Sequence, residues 1–244
     1  MAVKISNAFL TKLQMQNANM NIFEDLHGSA AIIETVPVIP SDGLVMYIDA
    51  SIPESYSGTG NTWYDLSGNN HNITLGSTVS YTSDFEGVLT FPENGNGYGR
   101  NTTMNLSTSN YTVITYVRKL ANSNNGRTVT AYQNNWLIGH HDDTYGDYYA
   151  EGWVNNISSP KSDTTWRMFA GTGHISNDVY QLYINDSLIV QNNLGSQGPR
   201  GWNLNNQYNQ YSNCQIANII VYNRVLTATE IQNIYMGTKS RFGL

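Results

Sequence analysis

Cysteine is nearly absent. Cys214 is the single thiol in 244 residues, which excludes an intramolecular disulfide framework and reads as a small apolar residue beside a strand. Lys and Arg total 12 against 18 Asp and Glu, for a net charge of −6. No basic cluster is present to neutralise phosphates, which argues against nucleic acid as a partner. No apolar run approaches the roughly 18 residues of a membrane span, so no membrane contact is expected. The first 13 residues have neither an apolar h-region nor a small-residue cleavage site, so synthesis in a cytoplasm without a signal peptide is expected. Catalytic signatures are missing too: there is no P-loop, dinucleotide fingerprint or G-x-S-x-G elbow. Glycosidase chemistry needs two carboxyls about 5 to 10 Å apart. The seven glutamates are scattered, and only Glu86 and Glu93 fall within seven positions of each other. Glu151 sits beside Tyr148, Tyr149 and Trp153 without a partner carboxylate. No catalytic residue is assigned, and the chain is read as non-enzymatic.

What remains is a chain with 12% charged residues, 17 tyrosines and many Asn, Thr, Ser and Gly. That is a composition of short strands and polar turns. Ile216–Tyr222 is β-branched and aromatic on both faces, so it reads as an interior strand. Behind it, Thr227 and Glu230 form a T-x-x-E capping box before Ile231, Ile234 and Tyr235, which predicts a short helix closed by Gly237. Gly43–Ala50 is the expected partner of that last strand. Tyr111–Leu120 alternates most clearly. Further strands are expected at 79–91, 127–132, 136–139, 148–154 and 165–171. A hairpin turning at Asn185-Asp186 is expected within 179–190. Trp202–Ser212 reads as a loop. Strands at this spacing predict an all-β sandwich or jelly roll over residues 43–244 with one short C-terminal helix.

Residues 1–42 differ. Ile5, Phe9 and Leu13 fall at helical spacing, and Ile22, Phe23 and Leu26 add a second apolar patch. They are too few to form a core, so the segment reads as one or two short helices or an arm. It would dock on the sandwich, on sister subunits in a homo-oligomer, or on another protein. Pro37 and Pro40 make 29–42 an extended connector.

Two constellations stand out. His140-His141-Asp142-Asp143, with Asp147 beyond, offers imidazole and carboxylate, and His141 and Asp143 are the candidate ligands for Zn or Ca. Against this, adjacent residues on an extended backbone point to opposite sides, and the alternative is a polar loop with exposed His and Asp. The second constellation is aromatic and amide-rich. Trp202, Asn205, Tyr208 and Tyr211, with Tyr148, suit a sugar or a protein interface, because ring faces stack and amides pair with hydroxyls. Trp136 and Trp153 read as core.

GLVMYIDA, TWYDLSGNNHNITL, QLYINDSLIV and IIVYNRVLTATEI, in this order, resemble the LamG-like domains of the concanavalin A-like lectin/glucanase superfamily. With the tail at 238–244 the chain is similar to those in bacteriophage and virus virion proteins. Thr74 stands where that pattern usually has a small residue. The resemblance implies a concanavalin A-like β-sandwich (jelly roll) over residues 43–244. It also implies a non-enzymatic structural protein on the virion surface, such as a capsid decoration or a short head or tail appendage. Its partners would be other virion proteins, bound through the arm. The alternative is a carbohydrate-binding, receptor-recognising module of a tail fibre, with host or environmental glycans as ligands. A glycan-active hydrolase ranks third, because the superfamily's E-x-D-x-E strand motif is absent. No cofactor is expected. Calcium is the one candidate the resemblance adds, with Asp49, Asp65 and Asp84 as its loop ligands.

Overall fold

A computed structural model describes residues 22–24, 30–32, 39–120 and 126–244. The expected attachment residues Ile5, Phe9, Leu13 and Leu26 lie outside the described residues. Ile22 and Phe23 lie on β1 (Ile22–Glu24), which pairs antiparallel with β2 (Ala30–Ile32). A two-stranded antiparallel pair therefore stands at this point of the chain, in place of a helix over 22–24.

The sandwich opens with β3 (Leu44–Asp49), β4 (Thr62–Trp63), β5 (Ile73–Leu75), β6 (Ser80–Thr82) and β7 (Val88–Phe91). Then come β8 (Gly99–Asn105), β9 (Tyr111–Lys119), β10 (Val129–Thr130), β11 (Trp136–His141) and β12 (Thr144–Ala150). The rest are β13 (Trp153–Asn155), β14 (Arg167–His174), β15 (Val179–Ile184), β16 (Ser187–Asn192), β17 (Arg200–Leu204) and β18 (Cys214–Tyr222), followed by helix α1 (Ala228–Thr238). The large sheet has the order β16-β15-β14-β9-β18-β7-β6. β18 is flanked along its whole length. β9 runs beside it on one edge, and on the other β7 pairs with Cys214–Ile216 and β3 with Asn218–Tyr222. The expected pairing of the 43–50 segment with the last strand is thus present.

Two four-stranded sheets, β10-β11-β12-β13 and β17-β8-β5-β4, make the second layer. They meet along β10 and β17, where Asn205 N–H donates to Thr128 O at 2.8 Å and Thr130 Oγ1 donates to Asn203 O at 2.8 Å. The main core lies between the layers. Met46, Phe91, Val117, Phe169 and Ile219 come from the large sheet, and Trp63, Ile73, Trp136, Tyr148 and Trp202 from the second layer. The other face of the large sheet is buried too. Ile114, Tyr116, Met168, Ile220 and Tyr222 pack there with Ile231 and Ile234 of α1 and with Phe242. This double cover is why every residue of β18 is buried, as its unbroken apolar pattern predicts.

The capping box forms as the sequence predicts: Thr227 Oγ1 accepts from Glu230 N–H at 3.2 Å, and Thr227 N–H donates to Glu230 Oε2 at 2.8 Å. Gly237 does not end the helix. It lies inside α1, and the chain continues through a 3-10 turn over Lys239–Phe242 to Gly243 in the left-handed region. That turn carries two fasteners. Phe242 stacks on Tyr116 with ring centroids 4.2 Å apart. Arg241 grips Asp49 with Nη1 at 2.9 and 3.0 Å from the two carboxylate oxygens. Asp49 thus lies on strand β3 and not on a loop, with its carboxylate paired to Arg241.

Candidate functional site

The outer face of the second layer carries an open polar groove, and the register explains how it is assembled. On β17-β8-β5-β4, Thr62 lies opposite Thr74, Thr74 opposite Arg100, and Arg100 opposite Asn203. Alternation sends the neighbouring Gly99 inward. A Cβ there would sit 3.0 Å from both Ile73 Cγ2 and Leu204 Cδ1, so only glycine lets β8 lie this close to the core while Arg100 points out.

Thr74 and Arg100 of this row line a groove of about 400 Å³. Asn70 and Asn72 enter from the turn before β5, and Tyr98, Thr102 and Thr103 from β8 and its approach. The wall is held rigidly. The Asp65 carboxylate accepts from the N–H groups of Tyr47, Ser67 and His71, each at 2.9 Å, and from Ser67 Oγ at 2.8 Å. Asp65 N–H in turn donates to Asn72 Oδ1 at 2.8 Å. Asn101, almost fully buried, donates from Nδ2 to Asn72 O at 3.0 Å. The segment TWYDLSGNNHN is thus a turn wrapped around one carboxylate, and Asp65 is its hub. Both of its carboxylate oxygens are taken up in holding this turn.

Arg100 dominates the groove electrostatically. Its Nε and Nη2 both donate to Asn203 Oδ1 at 3.3 Å. Its Cζ lies 4.7 Å from the Tyr98 ring centroid and 5.1 Å from that of Tyr132, which is itself exposed. Among the described residues no carboxylate pairs with it, and none lines the groove. The side chains of Asn70, Thr74 and Thr102 and the Nδ2 of Asn72 make no hydrogen bond to other described residues. Free amides, hydroxyls, the Tyr98 ring and a guanidinium in one polar trough suit a hydroxyl-rich ligand.

The sequence marks none of these groove residues as a ligand contact, although Asn70, Asn72 and Thr74 lie in the TWYDLSGNNHNITL segment. β8 is rich in Asn, Thr and Gly, which hides its strand character. The usable signal was the alternation Gly99, Arg100, Asn101, Thr102 after the turn at 94–97.

The residues that were singled out scatter. Trp202 is not exposed. It lies on strand β17, fully buried, with Nε1 donating to Met46 Sδ at 3.2 Å and its ring edge-on to Trp136 at 5.8 Å. Asn205 is buried as well, in the left-handed region at φ 57°. Its Nδ2 donates to Pro92 O and Gly97 O, and its Oδ1 accepts from Ser212 N–H, so it staples two loops together. Tyr148 faces the core, where its hydroxyl meets those of Tyr111 at 2.5 Å and Thr172 O at 3.1 Å. Tyr211 is half-buried and donates to Asn209 Oδ1 at 3.0 Å. Tyr208 alone of the five is well exposed, with Arg127 Cζ at 5.1 Å from its ring. Trp136 is core, whereas Trp153 lies half-buried on the outer face beside Tyr149, with ring centroids 5.0 Å apart.

His140 and His141 are not on an exposed loop. Both are buried at the end of β11. Burial, helped by the Lys119 and Arg167 charges, pushes His140 down to about 3, so it stays neutral. Its Nδ1 lies 2.9 Å from Ser162 Oγ, whose own proton goes to Thr144 O at 2.6 Å. No carboxylate completes a triad: Asp147 accepts from Thr144 Oγ1 and from Ile157 N–H. Burial raises the Asp147 carboxyl to about 6. Asp143 lies 3.7 Å from Lys119 Nζ, and His141 lies 3.5 Å from Asp142. Among the described residues no three His, Cys, Asp or Glu side chains converge to hold a metal. Glu151 accepts from Asn135 N–H at 2.7 Å and organises a turn.

The fold is an all-β sandwich with one short C-terminal helix. No protein-family model matches the sequence, and no curated protein sequence matches it. Solved structures do share the fold. The binding domain of Paraclostridial Mosquitocidal Protein 1 superposes with a TM-score of 0.61 at 18% identity, over 80% of this chain and 52% of that one. The binding domain of botulinum neurotoxin DC, solved with rat synaptotagmin II, gives 0.61 at 16% identity over 82% and 52%. This chain spans about half of those two. Domain 4 of AbnA, a GH43 extracellular arabinanase from Geobacillus stearothermophilus, solved with arabinotriose, gives 0.60 at 14% identity over 79% and 98%.

Proposed function

We propose that this chain is a non-enzymatic carbohydrate-binding module whose ligand face is the groove around Arg100. The observation that carries this reading is the set of unpaired amides and hydroxyls gathered beside Tyr98 and Arg100 in one groove. Sugars need this combination, because hydroxyls demand donors and acceptors while ring C–H faces stack on aromatic rings. The fold likeness to an arabinanase domain solved with arabinotriose and to toxin binding domains supports the same class. The neutral, buried His140 and the solitary Glu151 supply no acid–base pair for cleavage.

The sequence resemblance to virion LamG-like domains supports a setting for this module. In it, residues 1–42 attach the chain to other virion proteins and the sandwich displays its groove outward, as a receptor-recognising or decorating element. The test is a glycan array probed with the full chain, with Tyr98→Ala and Thr102→Trp as groove variants. Binding lost in both variants, with melting temperature unchanged, is the expected result. A folded protein that binds no glycan overturns the reading, and release of reducing sugar from any bound glycan overturns its non-enzymatic part.

A further inference from the structure

We infer that the groove takes an acidic sugar, one whose carboxylate is received by Arg100. This rests on the carbohydrate reading and specifies its ligand class. The chain is acidic overall at −6, and its other buried or half-buried cations are largely committed. Arg241 is held by Asp49, Arg224 by Glu230, Arg167 by Asp163, and Lys119 lies against Asp143. Arg100, like Arg118 and Arg127, has only neutral hydrogen-bond partners among the described residues, and of the three it alone lines the groove. Its one polar partner, Asn203 Oδ1, is neutral and takes Nε and Nη2, which leaves the Nη1 side of the fork without a protein acceptor among the described residues.

The rings of Tyr98 and Tyr132 lie within about 5 Å of its Cζ. They favour a fixed guanidinium plane and partly shield it from water. A planar fork with a free edge matches a carboxylate, and a charge-assisted hydrogen bond there is about twice as strong as a neutral one. Thr74, directly across the strand pair from Arg100, and Thr102 and Asn72 beside it are placed to meet the hydroxyls of the same ring.

The experiment is a glycan array on which each carboxylated glycan, uronic or sialic, is printed beside its carboxyl-reduced counterpart. It is probed with the full chain at low and physiological salt. Wild type should bind at least one acidic member roughly tenfold more tightly than its reduced twin, the share of one charged hydrogen bond, with the preference shrinking as salt rises. Arg100→Gln should bind the two members equally. Thr74→Asp, an exposed position that sets a carboxylate against Arg100, should cancel the preference with the arginine intact. Binding of reduced and acidic members alike by wild type overturns the acidic-sugar inference and leaves the carbohydrate reading standing. Binding of neither overturns both. A preference that survives in Arg100→Gln and Thr74→Asp moves the carboxylate away from Arg100 and overturns the assignment.

Discussion

Replacing Arg241 with Met should unfold the sandwich from its far end. The side chains of Arg241 and Asp49 are 9% and 7% exposed, so the pair is a buried one. Arg241 also donates from Nε to Phe85 O at 2.6 Å and from Nη2 to Gly87 O at 2.5 Å. These carbonyls belong to a turn that holds Phe85 and Gly87 at positive φ. Removing the guanidinium leaves the Asp49 charge with only Ser51 and Asn218 as donors. Breaking a buried pair from one side costs roughly 3–5 kcal/mol, because the surviving charge is left uncompensated. For a chain of this size that lowers the melting temperature by roughly 6 to 20 °C. Urea denaturation should show the midpoint falling with the slope unchanged. The double variant Asp49→Asn, Arg241→Met should lose less than the sum of the singles, since no lone charge remains. A single-variant loss under about 1 kcal/mol, or strict additivity in the cycle, would show that the tail rests on the surface and not in the fold.

Two further outcomes follow from the fold and from one carboxyl. A chain beginning at Ile39, which packs on the outer cluster of the large sheet, should melt cooperatively at the temperature of the full chain, because β3 is the first strand the large sheet uses; insolubility or a lower melting point would make residues 1–38 part of the core. Asp147, held at about 6 against an ordinary 3.8, binds its proton more tightly folded than unfolded. Its contribution is complete below pH 3.8 and is lost as pH rises through 6. At roughly 1.4 kcal/mol per pH unit the loss is about 3 kcal/mol. Relative to Asp147→Asn, wild-type stability should therefore fall between pH 4 and pH 8, and parallel pH curves for the two proteins would refute it.

The parts of this molecule that are local in sequence were legible. The capping box at Thr227 and Glu230 needs only three residues of spacing, and the nine-residue β18 announces burial on both faces by its side chains alone. The groove was not legible, because Thr74 comes to lie beside Arg100, and Arg100 beside Asn203, only through strand register across separate segments. The amide- and aromatic-rich stretch from 202 to 212 misled for a related reason. Trp, Tyr and Asn serve a sugar face, a core and a loop staple equally well, and only the fold decides that Trp202 faces Met46 and that Asn205 bridges Pro92 to Ser212. The histidine pair misled because alternation stops at a strand end. A bulge between Gly139 and His140 and a turn at Asp142 and Asp143 let both rings be buried.

The position of β18 also dictates an order of events during synthesis. Asn218 closes contacts with Tyr116 and Asp49 across 102 and 169 residues of chain. Until residues 214–222 are made, β9 has no neighbour on one side, and β3 and β7 have lost the strand that joins them to it. A growing chain therefore holds half-built sheets with apolar faces and open edges for most of its translation, the state in which strands from different copies find each other. Loop closure over such distances is slow. Production of this protein should thus depend on keeping nascent chains apart, and low temperature or slow expression should raise the soluble yield without any change in the stability of the finished sandwich.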